Sequence, residues 1–416
     1  MVEAAKALEP SEAVLLRKHA EPRAIDARLT GHLVALDGVR GLAITMVLLL
    51  HFVANTEMTN ALERAAGQVL IYGVLGVDLF FVLSGFLITG ILIDSKGSEH
   101  YFRNFYARRA VRIFPLYYGV LALVFLVAPL VPALAGPELD LLRREQAWAW
   151  LYGVNILVAL HGKFDFPFLD HFWSLAVEEH FYFFWPLVVW ACPRRILVWV
   201  AATICVLSLA GRVACSSYVN PVALYVLTPF RLDALCLGGF VAAYSRGPDG
   251  LAKLSRALTP VALATAVLLA ATYAAVKINP RHAEAVYQLR PTLFATLFGA
   301  LVVGALTAPQ SPVLARLLGA PMKVLGKYSY GLYVFHHFIS YYFVHHHTEF
   351  MIAGWVHSHT LAVLIQATFG IGLSFAVAYA SYHLFEKHFL ALKRLWQPRR
   401  LAASGPMARD PRRMDR

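Results

Sequence analysis

Ten stretches of about twenty mostly apolar residues divide this chain, at 36–55, 69–93, 113–133, 173–191, 197–215, 222–244, 259–277, 292–308, 328–346 and 360–384. Each is about long enough to cross a hydrocarbon layer of roughly 30 Å. Lipid offers the backbone no hydrogen-bond partner, so such runs become helices. The expected fold is all-α, a polytopic integral membrane bundle of about ten transmembrane helices. An eleventh run, Trp148–Leu160, has 13 residues. That is too few to cross, and a short non-spanning helix is expected there. Composition supports the membrane assignment, because only 15% of the 416 residues are charged, against about 25% in soluble domains.

Charge sets the orientation, since Lys and Arg concentrate in cytoplasmic segments. With the N-terminus inside and ten crossings, 27 of the 37 Lys and Arg residues fall in inner segments. Seven are assigned outside: Arg64, Arg143, Arg144, Lys163, Arg212, Arg281 and Arg290. Both termini are then expected in the cytoplasm and 161–172 outside. The net charge of +12 is accounted for by these loops, so no nucleic-acid partner is expected. The organisation reads as a cytoplasmic tail (1–32), a membrane domain (33–386) and a basic cytoplasmic tail (387–416). The residues from Arg399 on are expected to be disordered or apposed to lipid. Cys192, Cys205, Cys215 and Cys236 lie in or beside apolar runs without CxxC spacing, which fits buried thiols better than a zinc site or a disulfide framework.

Ionisable groups inside a membrane are costly and mark function. Arg40 and His51 are 11 residues apart. That is about 20° beyond three helical turns, so they share a face with about 16 Å of rise between them. A deep, neutral histidine can accept a proton or act as a nucleophile; the plainer alternative is a structural contact to a neighbouring helix. Arg108, Arg109 and Arg112 are spaced to converge on a helix at the cytoplasmic surface. Three guanidiniums there suit phosphate, although a basic loop that only fixes topology has the same composition. Ser174, Glu178 and Tyr182 share a helical face. Helix capping can explain one acid better than the adjacent pair Glu178 and Glu179. Asp78, Arg231, Asp233, His336 and His337 are further polar points. Arg231 and Asp233 most simply neutralise each other or nearby partners. His345, His346 and His347 point to different helix faces, with no acid or cysteine at ligand spacing, so no metal is expected.

Six segments together resemble the membrane acyltransferase-3 family, bacterial O-acyltransferases of surface glycans and some glycosides. They are Leu36-Asp37-Gly38-Val39-Arg40-Gly41 through His51, Gly76-Val77-Asp78 through Ser84-Gly85-Phe86, and Tyr106-Ala107-Arg108-Arg109-Ala110-Val111-Arg112 through Pro115. The others are Trp173-Ser174-Leu175-Ala176-Val177-Glu178-Glu179-His180-Phe181-Tyr182, Phe230-Arg231-Leu232-Asp233, and Gly326-Lys327-Tyr328-Ser329-Tyr330-Gly331 through His336. The likeness runs from about 33 to 386. It departs after His336, where His337-Phe338 stand in place of the family's frequent proline. It departs again at His388, where a Tyr-xxx-Glu-x-Pro pattern begun by Tyr382 and Glu386 would end in proline. Some family members carry a fused esterase-like domain, for which this chain is too short.

The resemblance implies transfer of an acyl group, acetyl above all, from cytoplasmic acyl-CoA to a hydroxyl of a carbohydrate or glycoside, in a bacterial inner membrane. Acyl-CoA is then a donor substrate, with no permanently bound cofactor. In that reading Arg108, Arg109 and Arg112 hold the donor phosphates. His51, beyond Arg40, activates the hydroxyl or briefly carries the acyl group. Glu178 or Glu179, on the outer side, orients or reprotonates it. Asp78, Ser174, Tyr182, Arg231, Asp233 and His336 support the site or contact substrate. The rival class is a transporter or flippase for a polar or glycosylated substrate, which would need no nucleotide site. The acceptor and the oligomeric state are not readable.

Overall fold

The structure is a computed structural model that describes residues 26–29, 31, 33–132, 136–278 and 283–396. Ten helices of 16 or more residues form it: α1 (Val34–Leu49), α2 (Leu75–Asp94), α3 (Tyr101–Ala122), α4 (Trp173–Ala191), α5 (Arg194–Cys215), α6 (Thr228–Ser245), α7 (Gly250–Ile278), α8 (Arg290–Thr307), α9 (Ser329–His345) and α10 (His359–Ser381). Among the described residues every regular element is helical. The chain is a multi-pass membrane protein by this architecture. Eight helical stretches are long and apolar enough to cross a membrane. α4 and α9 do not qualify. Glu178, Glu179 and His180 lower the hydropathy of α4, and α9 has 17 residues and carries His336 and His337. α4 nevertheless exposes Phe183, Phe184, Leu187 and Trp190, an apolar stripe suited to lipid. The run at 148–160 breaks into Gln146–Trp150 and Val154–His161, neither long enough to cross.

Helix contacts follow small residues, as they do where lipid removes the hydrophobic drive for association. α2 and α6 cross at a pair of glycines. A Cβ on Gly85 would lie 1.8 Å from the Leu235 carbonyl oxygen, and one on Gly238 2.0 Å from that of Val82. Only glycine allows this approach. It brings Asp78 against Arg231, a fully buried ion pair, with the Arg231 guanidinium also over Tyr225, 5.1 Å from its ring centre.

Asp233 does not neutralise its neighbour Arg231, one of the simplest pairings the sequence suggested. Its carboxylate accepts from Arg212 at 2.8 Å and from Thr292 at 2.6 Å. Arg212, assigned outside by sequence, is wholly buried in α5. Its guanidinium also reaches the Phe230 and Gln288 carbonyls. Burying each cation requires this pairing, so Asp78, Arg231 and Asp233 have structural partners that tie α2, α5, α6 and α8 together.

The chain after α10 does not leave the bundle at 387. Helical turns at Lys387–Ala391 and Leu392–Trp396 follow and pack on α3. Residues 1–25 and 397–416 lie outside the described residues, as do the expectations made for them.

Candidate functional site

α1 ends in a widened turn, Leu50–Ala54, of π-helical form. Such bulges often mark functional positions because they re-aim side chains. His51 sits in this turn. Its Nδ1 is 2.9 Å from the Val47 carbonyl oxygen. A carbonyl only accepts, so Nδ1 carries the hydrogen and Nε2 keeps the lone pair. The groups facing His51 are histidines: its ring centre is 4.9 Å from that of His336 and 5.1 Å from that of His337. His171 completes the group, stacked on His337 at 4.8 Å and 5.3 Å from His336.

Each of these rings has one nitrogen committed to an acceptor. His336 Nδ1 faces the carbonyls of Tyr333 at 2.8 Å and Leu332 at 3.1 Å. His171 Nε2 faces that of Val334 at 3.3 Å. His337 Nε2 lies 3.1 Å from Asp170 Oδ1. The opposite nitrogens, His171 Nδ1, His336 Nε2 and His337 Nδ1, are buried without a partner among the described residues. Asp170 lies in the loop before α4, where burial pushes its carboxyl up to about 6 while His51 opposes the rise. Asp170, His171 and His337 also place one potential ligand atom each within 4.8 Å of one another. Sequence spacing gave no sign of this group, because it pairs a loop before α4 with the middle of α9.

On the other side of this cluster is a cavity of about 920 Å³. Its mouth is at the turn between α2 and α3, Asp94–Ser98. Its inner end reaches Ser84, Ser174 and Tyr333. Arg40 from α1, Arg108, Arg109 and Arg112 from α3, and Lys393 from the C-terminal turns all line it. Among the described residues Arg108, Arg109 and Arg112 form no ion pair. Arg109 lies over the Tyr182 ring, 5.2 Å from its centre. Arg40 donates to Asp37 at 2.6 Å and also borders a smaller cavity of about 390 Å³ with Lys323, Lys327 and Glu386.

Glu178 and Glu179 line this basic cavity, where the sequence reading set them on the outer side beside His51. Glu178 accepts from Ser84 Oγ, which is 2.9 Å from Tyr182 Oη. The reason is the approach of α2 to α4, which turns the Ser174–Glu178–Tyr182 face toward the arginines. At the inner end, Ser174 Oγ and Tyr333 Oη are 2.5 Å apart, and both lie on the His171 carbonyl, at 3.3 and 3.0 Å. The Tyr333 ring centre is 5.6 Å from that of His336. The Ser174–Tyr333 pair is therefore a thin partition between the basic cavity and the histidine cluster.

The structure thus brings His51 and His336 into one group, and Arg40, Arg108, Arg109, Arg112, Glu178, Glu179, Ser174 and Tyr182 into an adjoining one. Sequence reasoning gave no role to Asp170 or His171 and left Lys393 in a tail. The segment that carries the resemblance begins at Trp173, three residues beyond Asp170. Lys393 had no signal beyond its charge.

Residues 33–383 match the acyltransferase domain family. Among relatives, OatA of Listeria monocytogenes, a peptidoglycan O-acetyltransferase, is 27% identical over 323 residues, covering 73% of this chain and 48% of its own. OatA of Staphylococcus aureus, an O-acetyltransferase, is 28% identical over 344 residues, covering 75% and 52%. YrhL of Bacillus subtilis, a candidate peptidoglycan O-acetyltransferase, is 29% identical over 328 residues, covering 74% and 48%. The chain spans about half the length of these curated relatives. No solved structure matches it significantly. With the match running from α1 through the end of α10 and taking in Arg40, Arg108, Arg109, Arg112 and all four histidines, this chain belongs to the acyltransferase domain family.

Proposed function

We propose that the chain moves an acyl group, acetyl by analogy with its relatives, from acyl-CoA in the cytoplasm to a hydroxyl of a cell-envelope glycan on the outer side. The observation that carries this reading is the position of the partition. A cavity lined by Arg40, Arg108, Arg109, Arg112 and Lys393 ends two side chains away from the histidine cluster. Three guanidiniums with no ion-pair partner among the described residues suit the phosphates of a nucleotide donor. Glu178, Ser84 and Tyr182 give the cavity a hydrogen-bonding floor for the polar pantetheine arm. His51, with its lone pair on Nε2, meets the thioester carbonyl beyond Tyr333.

Peptidoglycan is the acceptor the relatives' names favour. Both termini facing the cytoplasm, in a bacterial inner membrane, follow from the charge distribution and from this assignment of the donor side.

Incubation of the purified chain with radiolabelled acetyl-CoA and peptidoglycan fragments is the test. Label on the glycan supports the proposal. Donor-independent flux of a glycan, with neither donor hydrolysis nor transfer, would replace it with a carrier.

A further inference from the structure

We propose that His337, oriented by Asp170, is the base that takes the proton from the acceptor hydroxyl. The inference rests on the acyl-transfer reading and adds its acceptor half.

The four histidines differ in their partners. His51, His171 and His336 each give their N–H to backbone carbonyls. His337 alone faces a carboxylate, 3.1 Å away. A carboxylate behind one nitrogen fixes the tautomer, strengthens the opposite nitrogen as a base and stabilises the imidazolium that results. That opposite nitrogen, His337 Nδ1, is buried and has no partner among the described residues. A buried acceptor left alone is costly, and His171 Nδ1 and His336 Nε2 are likewise acceptors with no partner among the described residues. What the cluster lacks is a set of donors, which a sugar bearing several hydroxyls supplies. The same lone pairs with the Asp170 carboxylate could also ligate a divalent ion, and the experiment below separates the two occupants.

The division of labour then follows from position. His51 lies in the turn that ends α1, the helix that puts Arg40 on the cavity wall, and His337 contacts it edge-on from α9. In the first step His51 Nε2 attacks the thioester carbon, the C–S bond breaks, and the thiolate leaves on the cytoplasmic side. In the second step the acceptor oxygen attacks the same carbon. Its proton passes to His337 Nδ1, the C–N bond breaks, and the electron pair returns to His51 Nε2. His337 releases its proton to solvent and the thiolate gains one, so the sum is thioester plus alcohol giving ester plus thiol. Asp170 touches neither reactant; it is a positioning residue.

The experiment uses the full chain in detergent with radiolabelled acetyl-CoA and two acceptors: chitotetraose, and methanol as a hydroxyl that needs no recognition. His337→Gln and His337→Ala should lower transfer to both acceptors by about 10²–10⁴-fold, while rapid-quench label on the His51 peptide without acceptor persists. Asp170→Asn should lower kcat about 10-fold or more at unchanged KM for acetyl-CoA and remove the acidic limb of the pH profile, and Asp170→Glu should recover part of it. If His337→Gln keeps more than a tenth of the native transfer, the proposal is wrong. It is also wrong if labelling and transfer are lost together in soundly folded variants. One equivalent of tightly held divalent ion, lost in His337→Ala, would overturn it as well, because the lone pair would then be a ligand. A native chain that neither labels His51 nor transfers to either acceptor would instead remove the acyl-transfer reading, and this inference with it.

Discussion

Two sets of arginines lie within the bundle, and they are handled in opposite ways. Arg212 and Arg231 are wholly buried, each facing an aspartate on another helix. Arg108, Arg109 and Arg112 share one helix, form no ion pair among the described residues, and face a cavity with Lys393 added from the far end of the chain. The same side chain is neutralised where it holds helices together and left to a ligand where it faces space. Residue type alone does not separate the two uses; the partner does.

The largest expected effect comes from breaking a buried pair. Arg231→Ala strands Asp78 in the core and should cost about 3–5 kcal/mol of stability. Fluorescence-detected size exclusion would then show little folded protein. Replacing both partners with apolar residues of similar size should restore folding, and failure to do so would give the pair a role beyond packing.

Arg108→Ala with Arg112→Ala should leave folding intact and weaken acetyl-CoA binding about 10-fold or more, as expected for losing two charge-assisted contacts. Unfolding of this double variant, or unchanged donor affinity, would erase the contrast between the two sets. Lys393→Gln should have a smaller effect, a few-fold loss of affinity with a shallower dependence on salt, because one screened charge is removed. Titration at two ionic strengths measures both quantities. The mildest expectation concerns pH. With the Asp170 carboxyl raised to about 6 by burial, its ionised form dominates above that value. Transfer to acceptor should therefore decline as pH falls through about 6, and initial rates across pH 5–8 would reveal a flat profile if Asp170 is uninvolved.

Much of the fold was legible because lipid imposes a strict rule on sequence: every crossing needs a long apolar run, and α1, α2, α3 and α5–α8 and α10 obey it. Arg40, His51 and the arginine triplet were legible as polar points in that apolar background. Partners were not. Asp78 and Arg231 are 153 residues apart, and nothing local distinguishes Arg231–Asp233 pairing from the crossed arrangement that packing selects. The glutamates were misplaced for a related reason. Counting along α4 gives a face, but only the approach of α2 determines which cavity that face meets. Asp170 and His337 belong to separate elements, so their pairing appears only once α9 lies against the loop before α4.

The account turns on an acyl group passing from the basic cavity to His51. Rapid-quench mass spectrometry of the His51 peptide, after mixing the purified chain with acetyl-CoA and no acceptor, tests this directly. The account predicts an acetylated His51 in the native chain. At limiting donor the signal should be lost in Arg108→Ala with Arg112→Ala and return when donor is raised, while His51→Gln should show none at any concentration. An unmodified His51 in a chain that still transfers acetyl to glycan, or an acyl group found on Glu178 instead, would contradict it.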